Sequence, residues 1–157
     1  MRRGELAERY LAAEGQADHR RAGAAATTAA EEAVQALAWW PADLWGHRAL
    51  WHFEQGGMEL AATRAARLIG DVRVAGGDPD SGRRYYAEAI SEARDIGAER
   101  EEGLAALGMG RAELELGNVT TARRLAQIAF DLLERCGAPA DEVAAARDLR
   151  GEEKEVG

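Results

Sequence analysis

The chain has 157 residues, with 28 acidic and 20 basic side chains, so its formal net charge is −8 at neutral pH. This acidic balance argues against direct nucleic-acid binding, because such proteins neutralise phosphates with a basic surface. No apolar run reaches the ~18 residues of a membrane-spanning helix, so no membrane partner is expected. Apolar residues make up 46% of the chain and prolines number only 3, which excludes a disordered class.

Alanine occupies 35 positions, whereas valine, isoleucine and threonine together occupy only 15. Alanine is the best helix former, and a sheet needs β-branched residues, so the chain is predicted to be all-α. The excess of alanine and of arginine over lysine fits a bacterial genome of high GC content. Glycine, proline, aspartate and asparagine mark helix ends and new starts. They predict eight antiparallel helices at 3–14, 18–38, 41–55, 58–75, 79–96, 99–116, 119–136 and 140–152.

The first predicted helix, within the N-terminal segment 1–17, carries Leu6, Tyr10 and Leu11 on one face. An apolar face on a terminal helix has two uses in a helical protein. It either caps the array of helices or pairs with a second copy of the chain. A homodimer is therefore one prediction for this protein.

Aromatic residues are concentrated in and just before the third predicted helix, since four tryptophans and Phe53 fall within residues 39–53. A stripe of this kind usually belongs to a core, but tryptophan is also enriched at protein–protein interfaces and in ligand pockets. Four tryptophans are many for one small core, so we expect at least one of them at an interface. The predicted aromatic surface or pocket consists of Trp39, Trp40, Trp45, Trp51 and His47.

The predicted helices and turns repeat after 40 residues. The matching positions include Gly70 with Gly110, Gly77 with Gly117, and the arginine doublet 83–84 with the doublet 123–124. This repeat divides one domain into a degenerate hairpin at 18–57, two clear hairpins at 58–97 and 98–137, a capping helix at 138–152 and a polar tail at 153–157.

These hairpins resemble the tetratricopeptide repeat. The middle hairpin has the family's small residue at Gly70, its turn at Gly77 and Asp78, and the aromatic residue of its second helix at Tyr86. The period exceeds the family's ~34 residues and is similar to the extended repeats of large bacterial regulators. The resemblance implies antiparallel hairpins stacked as a short right-handed array, with the first helix of each hairpin lining a concave groove.

The resemblance also implies which residues line that groove. They are Arg64, Arg67 and Asp71 from the middle hairpin, Arg111 and Glu115 from the third, and Glu31 and Gln35 from the degenerate one. Arginine binds carboxylates through paired hydrogen bonds, so the three arginines suit an acidic peptide or a peptide C-terminus. The alternative is that these arginines pair with neighbouring acidic residues on a solvated face.

No catalytic or metal-binding pattern stands out, so we expect no catalytic residues, no metal and no cofactor. His47 and His52 are five residues apart instead of the four that place two ligands on one helix face, and zinc needs three or four ligands. Cys136 ends an apolar stretch and is predicted to be a buried thiol. A single cysteine allows no internal disulfide and fits a reducing cytoplasm.

The sequence therefore predicts a cytoplasmic, non-catalytic interaction module that binds a peptide or a partner helix in its concave groove. An alternative is a small-molecule-binding protein or a small helical enzyme that uses the aromatic region 39–53. A third interpretation is the sensory repeat unit of a regulator, without direct contact to DNA.

Overall fold

The computed structural model describes residues 3–15 and 17–151, and within them the chain forms eight α-helices and no strand. They are α1 (Arg3–Gly15), α2 (His19–Gln35), α3 (Trp39–Gln55), α4 (Glu59–Ala75), α5 (Pro79–Asp95), α6 (Glu99–Glu115), α7 (Val119–Arg135) and α8 (Ala140–Arg150). The all-α prediction is confirmed, and every predicted helix end lies within three residues of the observed one. The predicted tail 153–157 lies outside the described residues.

The turns between helices repeat every 20 residues. Glycine stands in the left-handed region at 57, 77, 97, 117 and 137, with φ between 66° and 90°. In each of these turns, backbone N–H groups bond back to the last helical turn, as the Met58 N–H does to the Phe53 carbonyl at 2.8 Å. The first two turns hold Ala17 and Leu37 at this place, with φ 53° and 54°. The 40-residue hairpin is thus two successive helix-and-turn units.

Three local predictions differ from the structure. Helix α2 ends at Gln35 and not at residue 38, because Leu37 adopts the left-handed conformation that stops a helix. Helix α3 begins at Trp39 and includes Pro41 in its first turn, where backbone N–H groups have no helical partner and proline is tolerated. Cys136 is exposed and not buried, because it is the C-cap residue of α7.

Consecutive helices pack against each other, and α4 also packs against α6, and α6 against α8. Helices α4, α6 and α8 therefore form an inner layer, while α3, α5 and α7 lie outside it. The core consists of three successive clusters built largely from alanine, whose small side chain lets helices approach closely. No helix in the described ranges has both the length and the apolar character needed to cross a bilayer.

Candidate functional site

The inner face of α4 and α6 is organised around Tyr86, which belongs to the outer helix α5. The Tyr86 ring fills the space that Gly70 of α4 and Gly108 of α6 leave open; a Cβ on Gly70 would lie 2.8 Å from the ring Cε1. The ring is buried, and its hydroxyl donates a 2.6 Å hydrogen bond to Asp71 Oδ1. The two glycines therefore allow an outer side chain to hold a carboxylate on the inner face.

Asp71 lies at the centre of a charged cluster. Burial among the surrounding helices raises the pKa of the Asp71 carboxyl, while the Tyr86 hydrogen bond and the charges of Arg67 and Arg111 oppose this shift. The Asp71 side chain is nevertheless 46% exposed, so water and ligands still reach it. Burial and the adjacent carboxylate raise the pKa of Tyr86 far above its ordinary value. The tyrosine hydroxyl therefore keeps its proton and remains the donor.

Two arginines of α4 share one buried carboxylate of α6. Glu101 Oε1 accepts a hydrogen bond from Arg64 Nε at 2.8 Å, and Glu101 Oε2 accepts one from Arg67 Nε at 3.2 Å. Arg67 also reaches Asp71 at 3.3 Å. The Arg64 side chain is still 53% exposed. These bonds join the two inner helices and leave part of the Arg64 guanidinium open to solvent.

Arg111 of α6 stands beside this cluster and is exposed. No carboxylate of the described residues lies within 4.0 Å of its guanidinium. Its positive charge acts on both Asp71 and Tyr86, which places it at the same site. A guanidinium without a bound acid can offer two parallel N–H donors to an incoming carboxylate. Arg64 is thus linked to Arg67 through Glu101, Arg67 is bonded to Asp71, and the charge of Arg111 acts on Asp71.

The other predicted groove residues are not joined to this cluster. Glu31 and Gln35 of α2 and Glu115 of α6 are exposed. Their side chains form no hydrogen bond or ion pair with any other residue that the structure describes. They remain surface positions of the helices that carry them.

The sequence pattern assigns no groove role to Glu101 or Tyr86. The signal for Glu101 is in the repeat itself. Glu101 of α6 occupies the same repeat position as residue 61 of α4, because the two are 40 residues apart. Residue 61 lies one helical turn before Arg64, so Glu101 is expected at about the level of Arg64 on the neighbouring inner helix. For Tyr86 the family pattern predicted an aromatic residue that fills a gap, but not that its hydroxyl reaches Asp71.

The tryptophans of α3 do not form a single pocket. Trp45 packs edge-on to Tyr10 of α1 with ring centres 5.2 Å apart, and the Arg48 guanidinium lies 4.9 Å from the Trp45 ring centre. Trp51 packs edge-on to His52 at 4.7 Å. In the part of the chain that the structure describes, no ring contact joins two tryptophans. The aromatic residues therefore serve several separate contacts.

Trp39, Trp40 and His47 complete the predicted aromatic set. Trp39 lies against the turn at Gly76, where a Cβ would meet the Trp39 Cβ at 3.3 Å. Trp40 is 75% exposed and points away from the fold. His47 Nε2 lies 3.3 Å from the Tyr85 hydroxyl of α5. Trp39 and His47 thus contribute to packing between hairpins, whereas Trp40 does not.

A buried histidine links the first three helices. His52 Nδ1 lies 3.1 Å from His19 Nδ1, and His52 Nε2 lies 3.0 Å from the Tyr10 hydroxyl, which donates to Glu14 at 2.9 Å. Because the single Tyr10 proton goes to Glu14, His52 donates from Nε2 and accepts at Nδ1 from His19. Burial lowers the pKa of His52, the charges of His19 and Arg48 add to this shift, and Glu14 opposes it. The network docks α1 onto α3.

Similarity to known proteins is found at the level of the fold. No protein-family model matches the chain, and no curated protein matches it significantly. The fold is similar to the crystal structure of BtubC (BKLC) from P. vanneervenii, with a TM-score of 0.75 at 15% sequence identity. The match covers 92% of this chain and 61% of that one, so this chain spans about three fifths of the length of BtubC. At this identity the similarity shows the helical-array fold alone.

Proposed function

We propose that this chain is a tetratricopeptide-like, non-catalytic interaction module that acts in the bacterial cytoplasm. The 20-residue helix-and-turn unit and the small residues between inner and outer helices support the repeat class. Gly110 is an example, because a Cβ there would lie 3.2 Å from the Ala122 carbonyl oxygen. The single cysteine supports a reducing compartment. Within the described residues, no group of three or more potential ligands is arranged to hold a metal ion.

The proposed ligand is an acidic peptide segment or a carboxylate-bearing partner helix, bound along the inner face of α4 and α6. The observation that carries this proposal is the exposed Arg111 guanidinium without a carboxylate within 4.0 Å among the described residues. Arg64, half-exposed on the neighbouring inner helix α4, supplies a second donor. Asp71, held in place by Tyr86, offers an acceptor for a backbone N–H of the ligand. Recognition thus combines paired donors for acids with one fixed acceptor.

The test begins with a random peptide library displayed on phage and selected on the immobilised chain. Selected peptides are expected to contain clustered Asp and Glu or a free C-terminal carboxylate, and their affinity is measured by calorimetry. Arg111→Ala should weaken binding roughly 10- to 100-fold, the range expected for one charge-assisted contact. Added salt should weaken the wild-type interaction as well, because the contact is exposed to solvent.

Arg124 on the outer helix α7 provides the matched control. It is exposed and, like Arg111, has no carboxylate of the described residues within 4.0 Å. Arg124→Ala removes the same charge from the chain and should leave peptide affinity unchanged. Equal losses in the two variants, or selected peptides without acidic residues, would remove the groove hypothesis.

The alternative hypothesis of a small-molecule pocket at 39–53 stays a prediction. The separate contacts of Trp45 and Trp51 do not favour it, because neither ring faces another tryptophan across a cavity.

A further inference from the structure

An apolar stripe runs along the outward face of α3. We call it the α3 stripe; it consists of Leu37, Trp40, Leu44 and Trp51, which are 70%, 75%, 37% and 50% exposed. Trp40, Leu44 and Trp51 are spaced by four and seven residues, so they share one face of α3, and Leu37 stands in the turn just before the helix. Together they expose roughly 500 Å² of mostly apolar surface, a size that often marks a functional patch on a protein.

The repeat supplies an internal control for this face. The positions of Trp40, Leu44 and Trp51 correspond to Asp80, Arg84 and Ser91 in α5, and to Thr120, Arg124 and Asp131 in α7. The other two outer helices therefore cover the same face with polar side chains, and the array folds with them. The fold does not require apolar residues at these positions. Trp51 also packs edge-on to His19 and His52, but half of its surface and most of Trp40 stay open to a contact outside the chain.

The backbone conformation of Leu37 also points to a contact outside the chain. It stands in the left-handed region with φ 54°, at the turn position where five later turns have glycine. A residue with a Cβ is strained in that conformation. Because the Leu37 side chain is 70% exposed, packing within the fold offsets little of that strain. A contact outside the chain is what this leucine can offer.

We propose that the α3 stripe is the interface of a homodimer, in which α3 packs in parallel against α3 of a second copy around a two-fold axis. A stable interface buries about 800 Å² on each partner, and the stripe supplies more than half of that area. Glu54 borders the stripe on one side and Arg48 on the other, while Asp43, on the side of Glu54, is already bound to Arg73. In a parallel pair each border faces the opposite border of the second copy, so unlike charges meet. An antiparallel pair would bring like charges together.

Sedimentation equilibrium of the full chain tests the proposal. The wild type is expected to dimerise, and the triple variant Trp40→Asp, Leu44→Arg, Trp51→Ser should raise the dissociation constant by roughly 100-fold or more, since buried tryptophans dominate such interfaces. These substitutions introduce the residues that α5 already carries at the same positions, so the helix is expected to persist. Ile128→Glu is the matched control: it changes another exposed apolar residue, on α7, to its α5 counterpart.

Sedimentation distinguishes two ways in which the proposal can fail. A wild type that sediments as a monomer at every concentration overturns the homodimer, and a dimer that the triple variant leaves intact overturns its location on α3. Leu37→Gly gives a second readout that does not depend on damaging the fold. It should weaken association at least several-fold while leaving the monomer folded, because glycine is the residue that the other turns use at this position.

The parallel orientation has its own test. Leu37 marks one end of the stripe, so a parallel pair brings the two copies of residue 37 together, whereas an antiparallel pair places them at opposite ends of the interface. Leu37→Cys in a Cys136→Ser background should therefore form a disulfide-linked dimer under mild oxidation. A dimer that stays uncrosslinked overturns the parallel arrangement.

Discussion

The same ion pair occurs twice in the array with its charges exchanged. Asp43 of α3 accepts two hydrogen bonds from Arg73 of α4, at 2.6 and 2.7 Å. Forty residues later Arg83 replaces the aspartate and Glu113 replaces the arginine, and their closest atoms are 3.4 Å apart. Each pair joins an outer helix to the next inner helix. The contact between neighbouring units is thus kept although both charges are reversed.

The residue type at a third position also changes when the charges of the ion pair are exchanged. Asp78 lies 3.9 Å from Arg73, whereas at the equivalent position Asn118 donates a 2.6 Å hydrogen bond to Glu113. A carboxylate suits a place beside an arginine, and an amide suits a place beside a carboxylate, because two adjacent carboxylates repel each other. The three positions therefore behave as one unit.

Asn118→Asp is expected to destabilise the chain by about 1–2 kcal/mol at pH 7, because it replaces a donor to the buried Glu113 with a like charge. The repulsion raises the pKa of the carboxyl pair in the folded chain. The penalty is therefore present above the unfolded carboxyl pKa of about 4 and fades as acid protonates one partner. Urea unfolding at pH 7 and at a pH below about 4 measures this loss of stability. A penalty that is equal at both, or unchanged in a Glu113→Gln background, would contradict this account.

At the scale of the helices, glycine decides how closely they approach. Gly70 and Gly108 make room for the Tyr86 ring, and Gly23 of α2 makes room for Phe53 of α3, whose ring would lie 2.5 Å from a Cβ on that glycine. In each case an outer helix supplies the large residue and an inner or N-terminal helix supplies the space. Complementary sizes at these crossings set the position of neighbouring helices.

Gly70→Ala should destabilise the chain by about 1–3 kcal/mol, because the new methyl group would overlap the Tyr86 ring and force it to move. Gly4→Ala is the matched control within α1. A Cβ at Gly4 meets nothing within 4 Å, so alanine should change stability by less than about 1 kcal/mol and in the favourable direction. Thermal or urea unfolding compares the two variants. Similar effects at both glycines would show that the close packing around Tyr86 is not limiting.

At the scale of the whole molecule, the core is a series of clusters along the array. One joins residues from α1 to α4, the next joins α4 to α6, and the last joins α6 to α8. In such a chain each unit is stabilised by its neighbours, so an end can open while the middle remains folded. At the N-terminal end α1 depends on the His52 network.

Acid is expected to loosen the N-terminal end before the rest. The pKa of His52 is lowered in the folded chain by burial, then by His19 and Arg48, against the opposing charge of Glu14. Below the unfolded histidine pKa of about 6.5 the unfolded state binds more protons, so stability falls as pH decreases. Hydrogen exchange between pH 8 and 5 should show α1 opening before α4 to α6. His52→Gln should lose this acid dependence, and an unchanged pH profile in that variant would contradict the assignment.

Local sequence signals specify much of the fold. Turn residues at 20-residue spacing and apolar residues three or four apart act within single helices, so every helix could be predicted to within three residues. The errors near Leu37 and Pro41 arose because a leucine occupies a place where glycine is usual, and because proline is tolerated throughout the first turn of a helix. The assignment of Arg64, Arg67 and Arg111 to one groove, which the family resemblance implies, stays a prediction.

The sequence by itself determined the all-α class and the eight helices, because propensity, turn chemistry and periodicity need no knowledge of distant contacts. The tertiary structure alone decided which charges are satisfied. Glu101 binds Arg64 and Arg67 across two helices, whereas Arg111 stays open toward solvent. It also decided that Trp40 is exposed while its neighbours pack. Such outcomes depend on the distances between helices, which are set by how side chains from separate units fit together.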